Sequence, residues 1–159
     1  MTARAPTLGI LAIGAVLLLG PMPLLSCAGK RPTNLGVSEG ALAPCPSSPN
    51  CVSSDARDTG HRVSPLRLAV PPAEAWQAVR EVVAELPRTR VVTDSGDYLH
   101  AECRSAVFGF VDDLELQLRP TENLIAVRSA SRLGYSDLGV NRRRVEGLRA
   151  SLISRGILR

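Results

Sequence analysis

Aromatic side chains are scarce: two Phe, two Tyr and one Trp in 159 residues. That leaves no base-stacking surface, so nucleic acid is not an expected partner even though the formal net charge is +4. Only two histidines occur, His61 and His100. His100 and Cys103 are three apart on an extended stretch and point to opposite faces, while His100 and Glu102 supply only two ligands, so no metal site is expected. An organised nucleophile is missing too. Gly134-Tyr135-Ser136-Asp137-Leu138-Gly139 reads G-x-S-x-x-G, one residue longer than a nucleophile elbow. Nothing in its spacing joins Ser136 to a histidine and an aspartate. No cofactor loop, internal repeat or low-complexity tract is visible.

Charge is absent from residues 5–26, with Arg4 alone before them. The apolar run is densest from Leu8 to Leu19, as in the h-region of a secretory signal. Gly20-Pro21-Met22-Pro23 breaks it, and Leu24-Leu25-Ser26-Cys27 follows. This order and spacing resemble the lipobox of bacterial lipoproteins, which implies cleavage after Ser26 and acylation of Cys27. An ordinary cleaved signal and an uncleaved anchor are the alternatives, and Pro21 and Pro23 would distort the last turn of the latter. Each places the rest of the chain outside the cytoplasm. With Ala28 rather than Asp after the lipidated cysteine, the usual sorting rule in a Gram-negative host gives a periplasm-facing, outer-membrane location.

Cleavage leaves 133 residues, one domain with enough chain for a hydrophobic core. Residues 27–44 lack periodicity and read as the acylated cysteine and a flexible tether; residues 45–159 read as the domain. Without Arg4 the balance is 18 basic against 15 acidic residues, and it is uneven. Residues 128–159 hold eight arginines against Asp137 and Glu146. Such a patch points to an anionic lipid, a polyanionic glycan or an acidic protein.

The periodicities predict an order β-α-β-β-β-β-α. Leu66, Leu68 and Val70 alternate on a short strand. Pro71-Pro72 opens a helix whose buried stripe is Trp76, Val79, Val83 and Leu86, with Trp76 anchored in the core and Pro87 ending it. Strands are expected over 88–93, 98–107, 108–119 and 124–132, each half apolar. A last helix buries Val145, Leu148 and Leu152. Alternating strands in succession mean an antiparallel sheet with one wet face, so both helices cover the other: a two-layer α+β domain.

Two places could carry chemistry. Asp112 falls on the apolar face with Phe110 and Leu114, unlike Asp113, so it needs a partner or a bulge that turns it out. A catalytic carboxylate is the further reading. The stretch 134–144 places Ser136 or Asp137 before a helix start, with Asn141, Arg142 and Arg143 in the first turn. Either Asp137 caps that helix or its N–H groups accept an anion, aided by Arg128 and Arg132 from the preceding strand.

C-P-S-S-P-N-C-V-S-S, D-Y-L-H-A-E, V-D-D-L-E-L and, above all, R-S-A-S-R-L-G-Y-S-D-L-G-V-N-R-R-R-V-E-G-L-R resemble the domain of unknown function family numbered 1499 over about residues 43–155. That resemblance implies a domain of bacteria and plastid-bearing eukaryotes, often with an export or membrane segment and without an established activity. Its recurrent motif positions are Asp112, Asp113, Arg128, Ser129, Ser131, Arg132, Asp137, Asn141 and Arg142.

With Cys27 consumed by lipid and Cys103 facing a core, Cys45 and Cys51 are each other's expected partners in a disulfide staple. A redox pair favours C-x-x-C, and zinc needs more ligands than the chain offers. The residues together lead to a non-catalytic envelope lipoprotein that binds an anionic group through 128–143. The alternative is an envelope hydrolase acting on a phosphorylated or glycosidic substrate with Asp112, Asp113 and the arginine cluster.

Overall fold

The computed structural model describes residues 29–159; the signal segment 1–26, Cys27 and Ala28 lie outside it. The chain forms β1 (Val37–Ser38), β2 (Ala41–Leu42), β3 (Cys51–Ser53), β4 (Leu66–Arg67), α1 (Pro72–Glu85), β5 (Thr89–Ser95), β6 (Tyr98–Arg104), β7 (Val111–Arg119), β8 (Leu124–Ser131) and α2 (Val140–Ser154). The run from β4 to α2 has the expected order, and the class is α+β with both helices on one face of an open antiparallel sheet. The sheet order is β3-β8-β7-β6-β5, and β4 also pairs with β8.

Local chemistry accounts for the elements. Pro72 sits at the first helical position of α1, where a missing N–H costs nothing, and the extended Leu86 before Pro87 stops the helix. Trp76 is buried and donates from Nε1 to the Gly96 carbonyl at 2.8 Å, which fixes α1 against the β5–β6 turn. Leu99, Ala101, Cys103, Leu114, Leu116, Leu118, Ile125 and Val127 form the sheet side of one core with α1 and with Val145, Leu148 and Leu152 of α2. At roughly 1.5–3 kcal/mol for each fully buried large side chain, this layer dominates the stability.

The second face departs from expectation. It is not wet. His100, Glu102, Asp113, Glu115, Gln117 and Arg128 alternate onto it, and all are buried. Residues 31–44, expected as a flexible tether, lie across it as a strap. The Gly36 N–H donates to Glu115 Oε1 at 2.8 Å, the Leu42 N–H donates to Asp55 Oδ2 at 3.0 Å, and Leu42 packs with Leu124, Ala126 and Tyr98. Glu39 and Gly40, at φ 52° and 78°, turn the β1–β2 hairpin within that strap. Two-residue strands joined by two left-handed residues carry no hydrophobic period, so nothing in the sequence pattern marks them.

Two strand limits also shift. β6 ends at Arg104 and β7 begins at Val111, leaving Phe108 and Phe110 in an exposed loop rather than on the core face. β3 escapes a periodicity reading because it has only three residues and all are buried.

Candidate functional site

The strap face is a closed charge network. Asp113 accepts from Arg132 Nη2 at 2.6 Å on Oδ1 and from Arg132 Nε at 2.8 Å on Oδ2, and its Oδ1 lies 2.7 Å from His100 Nε2. Glu102 Oε1 accepts from Arg132 at 2.8 Å and from Arg31 of the strap at 2.6 Å; its Oε2 accepts from Arg90 at 3.3 Å. Glu115 pairs with Arg128 at 2.7 Å and accepts the Tyr98 hydroxyl at 2.9 Å. Burial acts to raise the Glu102 carboxyl, but the hydrogen bonds from Arg31 and Arg132 outweigh it and hold it at about 2. Asp113 is likewise burdened by burial, yet Arg132 and His100 keep it below the usual carboxylate range. Burial and the facing Glu115 charge push the Tyr98 phenol well up.

Arg128 and Arg132 were expected on a solvated surface, and here the structure corrects the sequence reading: both are buried in ion pairs. Sequence alternation put them on the right face, but it carried no sign of the strap that covers it.

The last helix resolves the other ambiguity. Asp137 accepts the Gly139 N–H at 2.9 Å and the Asn141 N–H at 2.7 Å, so its carboxylate occupies the first turn of α2. Those bonds overcome burial and lower its acidity range below the usual one. Ser136 accepts the Leu138 N–H at 3.2 Å. Arg142 donates to the carbonyls of Gly60 and Arg62, and Arg143 donates to that of Leu138. The arginines of α2 thus clamp loop backbone, a role that composition alone does not signal.

Asp112 has a partner: Arg144 Nη2 lies 2.6 Å from its Oδ2. The pair sits at the end of the helix-side core. Beside it Asn141 accepts the Ser129 hydroxyl and donates to Ser131 Oγ and the Asn50 carbonyl. Asp112 and Asp113 therefore point to opposite sides of β7 and do not meet at one site. Cys103 is a buried free thiol raised further by burial, and Cys45–Cys51 is a disulfide. Among the described residues no cluster of three or more His, Cys, Asp or Glu side chains could hold a metal.

A cleft of about 410 Å³ opens on the strap face beside the disulfide. Pro32, Asn34 and Pro44 form its strap wall, and Asp113, Arg128 and Arg132 its floor. Arg128 Nε is buried without a hydrogen-bond partner among the described residues.

The sequence profile of the family described as protein of unknown function (DUF1499) matches residues 41–152. The chain belongs to that family. No curated protein and no solved structure shows a significant match to it. Within this member of the DUF1499 family, the matched span takes in the whole sheet and nearly all of α2, but it begins inside the strap.

Proposed function

We propose that this protein is a lipid-anchored, non-catalytic domain of the bacterial cell envelope that holds a small anionic group in the cleft under the strap. The observation that carries the reading is Arg128: it lines the cleft while its Nε has no partner. The neighbouring arginines point the same way. Arg31 and Arg90, 48% and 72% exposed, stand at the rim beside the buried Arg128 and Arg132 pairs, so the strap face offers cations to an incoming anion. The volume suits a small phosphorylated or carboxylated molecule. The lipobox at Leu24–Cys27 supports the envelope location, and the Cys45–Cys51 bridge fits an oxidising compartment.

A hydrolase built on Asp112 and Asp113 needs both carboxylates at one substrate, and their placement on opposite faces of β7 gives that reading no support. The test is extraction of the native protein from membranes and mass analysis of what it carries, with melting curves in millimolar phosphate, sulfate and citrate. A stoichiometric anion, or a raised melting temperature with one of the three, is the expected result. An empty protein whose melting temperature none of them moves overturns the proposal.

A further inference from the structure

Seven of the ten exposed large apolar residues in the described chain fall within residues 107–140. Six belong to two loops, the one before β7 and the one after β8, and the seventh, Val140, opens α2. The Arg132 N–H donates to the Val111 carbonyl at 3.2 Å, so both loops leave the sheet at the same end. They flank a common cleft of about 190 Å³, lined by Ser105 and Phe110 from one side and Leu133, Gly134 and Ser136 from the other. Phe108 and Phe110 stack at 5.8 Å between ring centroids. Phe108, Tyr135 and Leu138 are 66%, 76% and 84% exposed. Leu138 holds φ 52°, a backbone region that bulky side chains rarely adopt, with its side chain in solvent. Exposed apolar residues scattered singly mean nothing, but a cluster at one tip marks a docking surface.

Two observations say what it docks on. Charge is the first. Arg88, Arg104 and Arg143 are exposed beside the tip, while the acids at this end, Asp112 and Asp137, are engaged by Arg144 and by the α2 N–H groups. Apolar and aromatic residues rimmed by arginine suit the interface of an anionic bilayer. Chain direction is the second. Gly29, at φ 64°, approaches this same end so closely that a Cβ on it would lie 2.9 Å from Leu133 Cγ and 3.0 Å from Arg132 Cβ. The described chain therefore begins at the same end of the sheet as the apolar tip, and Cys27 precedes Gly29 by only two residues in the sequence. A lipid on Cys27 would tether the domain from the end that carries the exposed loops.

We infer that the 105–110 and 133–138 loops insert into the headgroup region of the membrane that carries the anchor, holding the domain with its sheet end-on to the bilayer. This rests on the lipid-anchored reading but asks more of it: a fixed orientation, not only a tether.

The full chain carrying Phe108→Trp, recovered from membranes and reconstituted in phosphatidylcholine–phosphatidylglycerol vesicles with brominated acyl chains, tests it. Thr121→Trp serves as control, since it lies beyond β7 at the far end, roughly 25 Å away. Quenching several-fold stronger at 108 than at 121, weakened by salt, is the expected result. Equal or absent quenching at 108 overturns the insertion whether or not Cys27 is acylated. A blue shift at 108 that tracks protein concentration without lipid overturns it in favour of a second copy. The mass of the N-terminal peptide decides the anchor separately: an unmodified Cys27 sinks the lipoprotein reading while the quenching still decides the loops.

Discussion

Asn141 has no solvent exposure, and its side-chain oxygen and nitrogen are each bonded twice. It ties the start of α2 to β8 and to the Asn50 segment. Removing it takes one partner each from the buried Ser129 hydroxyl and the Asn50 carbonyl, which keep Arg144 and the Ser131 N–H, and from the half-buried Ser131 hydroxyl, and leaves a polar cavity, at about 1–3 kcal/mol for a group left short. Asn141→Ala should therefore lower unfolding free energy by roughly 3 kcal/mol in urea titrations, whereas a loss below about 1 kcal/mol would show that the network tolerates water. Asn141→Asp keeps the volume and the acceptor but removes both donors, so it should cost a similar amount. Cys103 makes a contrasting case. Burial raises its thiol, and Thr89 Oγ1 contacts its sulfur at 3.5 Å. Iodoacetamide at pH 8 should modify it only after unfolding. Rapid labelling of the native protein would reveal an open thiol at that position.

At the scale of elements, the Cys45–Cys51 bridge closes a loop of seven residues just where the strap hands over to β3. Loop-closure entropy for so short a ring gives about 2 kcal/mol. The paired substitution Cys45→Ala with Cys51→Ala should lose about that much stability, with the strap's amides exchanging faster than those of β7 and β8. Uniform protection across strap and sheet in the variant would show that ion pairs alone hold the strap. Those pairs are considerable. Arg119 is bidentate on Asp55 at 3.0 and 2.6 Å, and Asp55 in turn accepts the Leu42 N–H, so the strap is also tied at Leu42 by bonds other than the disulfide.

For the whole molecule, three depressed carboxylates set the acid limb of stability. Glu102 sits at about 2 against an unfolded value of 4.5, and Asp113 and Asp137 lie below 3.8. In each case the folded state binds fewer protons than the unfolded chain. Their contribution is complete above the unfolded values and disappears as pH falls through the folded ones. Glu102 alone corresponds to roughly 3 kcal/mol at neutral pH. Urea midpoints should be flat from pH 7 to about 5 and then fall steadily toward pH 2. A midpoint unchanged at pH 3 would mean that the strap-face pairs are not formed as charges.

The same scale shows which parts of the molecule were legible before folding. Period-two alternation read over 98–107 and 108–119, and helical spacing from Trp76 to Leu86 and from Val145 to Leu152, determined the antiparallel sheet, its two helices and the side they cover, though not the strand limits, because local periodicity records which face meets apolar neighbours. The sequence also determined that Asp112 must find a partner, since an unpaired carboxylate cannot face a core. Periodicity cannot name what lies against the polar face. Arg31, Gly36 and Leu42 reach Glu102, Glu115 and Asp55 from 71, 79 and 13 residues away, and only tertiary structure brings them together. That contact turned a row of charges expected in solvent into a buried network. The composition supplied the charges; whether they face water or each other was decided by chain distance, which no local pattern encodes.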